Sequence, residues 1–206
     1  YADMTPRDRL ERNEVKSKRI VVDIFVSMCK SQALQANEVN RRVLEDIIKL
    51  HGLDIPDWIS MNEIESIVKS VLKDCLNTAT MDFDDMLWIP AVFMRMILSG
   101  LKLQVVFPTY DIVLGDEAQD WNMCQHYLML AAAGYGNVNS TTRGRIVYVG
   151  DPLQAIYGFR GADFKSMGNF KEMLTKFGRK VVSLPLMLTR RCPKEVVRIA
   201  NQVAPA

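Results

Sequence analysis

The 206-residue sequence has no uninterrupted stretch of eighteen apolar residues, so no segment has the length and character of a membrane-spanning helix. The segment from Tyr1 to Asn13 is polar and charged and lacks the apolar core of a secretory signal. There are only four cysteines, Cys29, Cys75, Cys124 and Cys192, with no CxxC pair and no Cys/His ligand spacing. That argues against a zinc site or a disulfide framework and for reduced, buried thiols in a cytoplasmic protein. The two histidines, His51 and His126, form no cluster, and neither is a candidate catalyst. No internal repeat or low-complexity tract is present. The first residue is tyrosine rather than methionine, so the chain is expected to be an internal piece of a longer protein.

The composition is 49% apolar and 24% charged, ordinary for a globular chain long enough to bury a core. The net charge of +2 hides an asymmetry. Glu38 to Trp88 holds eleven acids against five bases, whereas Lys165 to Asn201 holds nine bases against two acids. A basic C-terminal part suits a polyanionic partner, and it equally suits a solvated basic surface.

The first eighty residues read as successive helices. Val15 to Leu34 carries Ile20, Ile24 and Met28 at helical spacing. Glu38 to Leu50 ends at His51-Gly52, and Met61 to Leu76 shows a stripe of Ile64, Ile67, Val68, Val71 and Leu72. Asp82 can cap a fourth helix, Phe83 to Leu98, which Pro90 should kink or split. Beyond residue 103, three short apolar runs alternate with other segments: Ile112 to Leu114, Ile146 to Val149 and Val181 to Leu184. Short buried strands separated by helices, here Trp121 to Ala133 and Pro193 to Val203, predict an α/β fold with a parallel sheet.

Ligands of open parallel sheets bind beyond the carboxyl ends of the strands. Two such ends are acidic: Gly115-Asp116-Glu117 and Gly150-Asp151. Adjacent carboxylates leaving a strand suit a magnesium-nucleotide site, one holding the metal and the other deprotonating a water. Strand ends are polar in any case, so this feature alone leaves both readings open.

The surrounding residues narrow it. Asp116-Glu117-Ala118-Gln119-Asp120-Trp121-Asn122 with Gln125 resembles motif II of the UvrD/Rep/PcrA-type superfamily 1 DNA helicases. The run from Gly150 to Asp163, GDPLQAIYGFRGAD, resembles motif III. Leu188-Thr189-Arg190-Arg191 with Ile199-Ala200-Asn201 resembles motif IV, and Met81 to Leu87 resembles a segment just before motif II. Similar strings occur in phage-type relatives. The resemblance implies a partial RecA-like P-loop NTPase motor domain over residues 81–206, preceded by an all-helical insertion over residues 1–80. It implies an ATP- and Mg²⁺-dependent enzyme that moves 3′→5′ on single-stranded DNA or at a junction, in the cytoplasm of a bacterial or phage-infected cell. By position, Asp116 would hold Mg²⁺, Glu117 would be the general base and Gln154 would sense the γ-phosphate. Arg191 would act as an arginine finger. Arg190 stands where an adenine-stacking tyrosine is usual, and Trp121 where a small polar residue is usual. Phe159, flanked by Tyr157 and Arg160, would stack on a DNA base, and Asp163 would be structural. Asp120 reads as a helix cap, a site residue or both.

One element is missing. The chain contains no Gly-Lys dipeptide and therefore no GxxxxGK[ST] phosphate loop. The expectation is half an active site, completed by an upstream loop and a second motor domain as partners. Alternatives are a nucleic-acid-binding or scaffold module that no longer hydrolyses ATP, and a helicase–nuclease fusion.

Overall fold

The computed structural model describes residues 6–78, 80–137, 143–155, 165–186 and 188–203. Four helices come first: α1 (Pro6–Ser31), α2 (Arg41–His51), α3 (Met61–Cys75) and α4 (Phe83–Leu98). They are followed by β1 (Ile112–Gly115), α5 (Met123–Ala132), β2 (Arg145–Tyr148), α6 (Ser166–Lys176) and α7 (Lys194–Val203). Helix α1 begins earlier than expected, with Pro6 as its first residue, a position where a missing N–H costs nothing. Its buried stripe is Val21, Val22, Phe25, Val26, Met28 and Cys29, with Ile24 packed against it, whereas Ile20 is exposed. Asn40 caps α2 by accepting from the Val43 N–H, and Gly52 closes it in the left-handed conformation. Asp82 caps α4 as expected, in a reciprocal capping box with Asp85. Of the two expected effects of Pro90, a kink or a split, the split does not occur: α4 runs unbroken from Phe83 to Leu98. The bond it deletes would have gone to the carbonyl of Met86, an exposed residue.

The first core gathers α1–α4, with Phe25, Leu44, Ile64, Val68, Leu72 and Trp88 at 2% exposure or less. Burying each such side chain is worth roughly 1.5–3 kcal/mol. Two polar ties cross it. The Trp88 indole donates to the Leu34 carbonyl at 2.8 Å, and Arg95 donates to the Ala33 carbonyl and to both carboxylate oxygens of Glu38. A second core, built from Met94, Ala118, Trp121, Leu130, Ala131, Phe170 and Leu174, lies under the sheet. Helix α4 feeds both cores, and Cys124 of α5 belongs to the first.

Strands β1 and β2 pair in parallel, Ile112 opposite Arg145 through Gly115 opposite Tyr148, with α5 in the crossover. This is a parallel sheet of two strands among the described residues, smaller than the sequence suggests. The third apolar run, Val181 to Leu184, is not a strand: no described backbone pairs with it, and Val182 and Leu184 are exposed. Nor are the strands buried on both faces. Ile146 and Tyr148 pack against the second core and Val113 is buried, while Ile112, Leu114 and Val147 are exposed.

Candidate functional site

The parallel ladder continues past both strands. Val149 N–H donates to the Gly115 carbonyl and Ala118 N–H to the Val149 carbonyl, each at 2.9 Å. These bonds hold the two strand ends, 115–118 and 149–151, side by side. Beyond β1 the chain turns sharply. Glu117 adopts φ 51°, ψ 43°, a left-handed conformation that costs a non-glycine residue roughly 1–2 kcal/mol. A short 3-10 turn, Ala118–Asp120, follows. The bend leaves Asp116 and Glu117 consecutive and exposed at the carboxyl edge of the sheet.

Gln119 joins the two ends. It is 3% exposed, and its amide has a different partner on each side. Nε2 donates to Glu117 Oε2 at 2.7 Å, and Oε1 accepts from the Asp151 backbone N–H at 3.0 Å. Only one amide orientation puts a donor on the carboxylate and an acceptor on the N–H. Asp151 extends the network: Oδ1 accepts from Leu153 N–H at 3.0 Å and Oδ2 from Gln154 Nε2 at 2.8 Å. A continuous chain of hydrogen bonds thus runs Glu117, Gln119, Asp151, Gln154. Gly150 permits the approach, since a Cβ there would lie 2.4 Å from Gln119 Oε1 and 3.0 Å from the Ala118 nitrogen.

Underneath, the turn rests on aromatic side chains. The Trp121 indole donates to the Asp116 carbonyl at 3.0 Å, and its ring meets His126, Tyr148 and Phe170 with centroids 5.7–6.1 Å apart. Ser166 Oγ donates to the Ala118 carbonyl at 2.9 Å. That uses its one proton, so the 3.0 Å contact with His126 makes Nε2 the donor there. Burial pushes the Tyr148 hydroxyl pKa up. Asp120 is not a helix cap. Asn122 caps α5, in a reciprocal box with Gln125, because Trp121 is still extended.

Of the residues singled out in the sequence, Asp116, Glu117 and Gln154 are therefore brought into one bonded unit. Arg190 and Arg191 lie in the exposed turn before α7, and no hydrogen bond or ion pair among the described residues joins them to that unit. Tyr157, Phe159, Arg160 and Asp163 lie outside the described residues. Sequence reading missed the roles of Gln119, Ser166 and His126. Gln119 lies within motif II and His126 beside it, but Ser166 lies beyond motif III, and the bonds Gln119–Asp151, Ser166–Ala118 and His126–Ser166 each join residues distant in sequence.

Glu117 N–H bonds Asp116 Oδ1 at 2.9 Å, leaving Oδ2 open, and Gln119 leaves Glu117 Oε1 open. Among the described residues no basic side chain pairs with either carboxylate, and no group of three or more His, Cys, Asp or Glu could hold a metal ion. Magnesium commonly takes one or two carboxylates and completes its shell with water and nucleotide phosphates. The donor set fits a cation that arrives with a phosphate ligand, and it does not fit a self-sufficient metal cage. A cavity of about 450 Å³ between α4, α5 and α6 contains none of these residues. Its one arginine, Arg95, is already committed to Glu38. No described helix is long and apolar enough to cross a membrane.

Residues 3–175 match the family model for the UvrD/REP helicase N-terminal domain. A 75-residue stretch, 36% of the chain, is 39% identical to F-box DNA helicase protein 1 of Schizosaccharomyces pombe. A 126-residue stretch, 59% of the chain, is 28% identical to the RecBCD enzyme subunit RecB of Buchnera aphidicola subsp. Schizaphis graminum. The matches span 7% and 10% of those two proteins. No solved structure matches the chain.

Proposed function

The chain belongs to the UvrD/REP helicase N-terminal domain family, and from that membership we propose that it forms part of an ATP-driven motor that moves 3′→5′ along single-stranded DNA and opens duplex. Residues 1–80 would be its accessory helical module and residues 81–206 the later part of a RecA-like motor domain. The observation that carries this reading is the bonded path from Glu117 through Gln119 and Asp151 to Gln154. It joins the residue suited to activate water to the residue suited to sense a phosphate.

In this reading Asp116, through its open Oδ2, would hold Mg²⁺ directly or through a water, and the ion, bound with ATP, would supply charge neutralisation at the phosphates. Glu117 Oε1, the oxygen that Gln119 leaves open, accepts the proton of the attacking water. Gln119 fixes the other oxygen, so the base is oriented before substrate arrives. Gln154 reports the γ-phosphate position to Asp151, and Arg191 stabilises charge there once α7 and its turn approach. Arg190 would stack on the adenine, and Phe159, with Tyr157 and Arg160, on the DNA. A GxxxxGK[ST] loop is absent from these 206 residues, so the phosphate cradle would come from outside them.

The test is DNA-stimulated ATP hydrolysis by the complete protein. Glu117→Gln is expected to cut turnover by roughly 10²–10⁴-fold, the contribution typical of a general base, with ATP binding retained. Full turnover in that variant would remove Glu117 from the role. The absent loop favours a second reading, a nucleic-acid-binding module without ATPase activity. A wild-type protein that binds single strands yet hydrolyses no ATP would establish it.

A further inference from the structure

Trp121 and Gly115 do nothing in the scheme above, yet they enclose the residue on which the metal end depends. The ladder bonds pass over one group. Gly115 and Val149 carbonyls are both used between the strand ends, while the Asp116 carbonyl receives the Trp121 indole N–H instead. A backbone carbonyl at a partly buried position needs such a partner. The other half of the same peptide unit is its Glu117 N–H, and that N–H bonds Asp116 Oδ1. The peptide is planar, so its two ends turn together. Trp121 grips one end, and the Asp116 carboxylate hangs from the other.

The indole itself has little freedom. Trp121 is 7% exposed and is walled by Phe170, Tyr148 and His126. Its ring also fills the space over Gly115, where a Cβ would lie 2.2 Å from two ring carbons. His126 in turn stacks on Phe170 with centroids 4.9 Å apart and bonds Ser166, which holds the next turn at Ala118. The ring cannot rotate away without disturbing all of these.

We propose that Trp121, seated over Gly115, is a positioning residue that sets the orientation of the Asp116 carboxylate toward a nucleotide-borne divalent cation. The inference rests on the metal role assigned to Asp116 above. Groups that orient a metal ligand contribute to affinity without touching the ion.

The experiment is a Mn²⁺ titration of the complete protein with a non-hydrolysable ATP analogue, free Mn²⁺ being read by electron paramagnetic resonance. Trp121→Phe keeps a packed ring and loses the N–H. It is expected to weaken Mn²⁺ binding roughly three- to tenfold, the scale of one neutral hydrogen bond. Gly115→Ala keeps the N–H but displaces the ring and is expected to do the same. A purely structural role would lower the melting temperature and leave Mn²⁺ affinity unchanged, and unchanged affinity in both variants overturns the proposal. Should the variants not fold, the wild-type indole ¹⁵N–¹H signals decide. Mg²⁺ with the analogue should shift the Trp121 signal and leave that of the half-exposed Trp58 in place. An unmoved Trp121 signal overturns the proposal. If the wild type binds no Mn²⁺ with nucleotide, the metal role of Asp116 fails and the inference falls with it. If it binds and both variants bind equally well, only the positioning role fails.

Discussion

Lys30 is a cation at 2% exposure, buried between Asp82 and Asp85, with its Nζ 2.8 Å from an oxygen of each. Burial works to lower its pKa, but the bonds to Asp82 and Asp85 outweigh it and hold the ammonium above its ordinary value. Asp85 is as buried as Lys30, so removing the lysine strands a carboxylate in the core. Lys30→Met is expected to cost about 3–5 kcal/mol, the range for breaking a buried pair, measured by urea unfolding. Glu38 titrates in the opposite sense. Burial raises its pKa, but bonds from Arg95 and the Gln35 N–H prevail and hold it below the ordinary 4.5. Asp82 is likewise lowered, by Lys30 and its capping bond acting against burial. A depressed folded-state pKa means the contribution is whole above the ordinary value and is lost as pH falls through the folded one. Stability should therefore drop below about pH 4.5, and Glu38→Gln should flatten that slope in acid titrations followed by circular dichroism.

The elements differ in how openly the sequence announces them. Helices α2 to α5 were legible because apolar spacing and caps such as Asp82 and Gly52 are local signals. The extent of α1 was not, and its expected stripe was right only in part: Met28 is buried and Ile24 packs against the core, but Ile20 faces solvent, since the neighbours that chose the buried face are distant in sequence. The Val181 run failed as a strand for a related reason, because a strand exists only with a partner. At the site, the order of motifs located the acidic strand ends, but nothing local marked Gln119 as the tie between them. Gln119→Leu removes the acceptor of the Asp151 N–H and is expected to cost about 1–3 kcal/mol. Amide exchange at Asp151 should accelerate, and an unchanged rate would show the tie to be idle. Gly150→Ala should mimic this in part, since its Cβ would collide with the same amide oxygen.

At the level of the whole molecule, two cores share α4: Trp88, Ala91 and Val92 face one and Met94 the other, while Cys124 of α5 packs into the first. Such sharing couples them. Leu130→Ala in the second core, expected to cost about 2–5 kcal/mol, should lower the denaturation midpoint read at Trp88 in the first core. Two separate transitions would show the cores to be independent. The thiols divide along the same architecture. Cys29 and Cys124 are buried, and burial pushes both thiols up to about 12. Cys75 is partly covered and also raised by burial, while Cys192 stands exposed. Thiolate-selective dyes react where the sulfur is accessible and ionisable. The chain therefore carries a ready attachment point for a fluorophore at Cys192, adjoining Arg191, through which the approach of α7 to the sheet proposed above could be tested by energy transfer without engineering a cysteine.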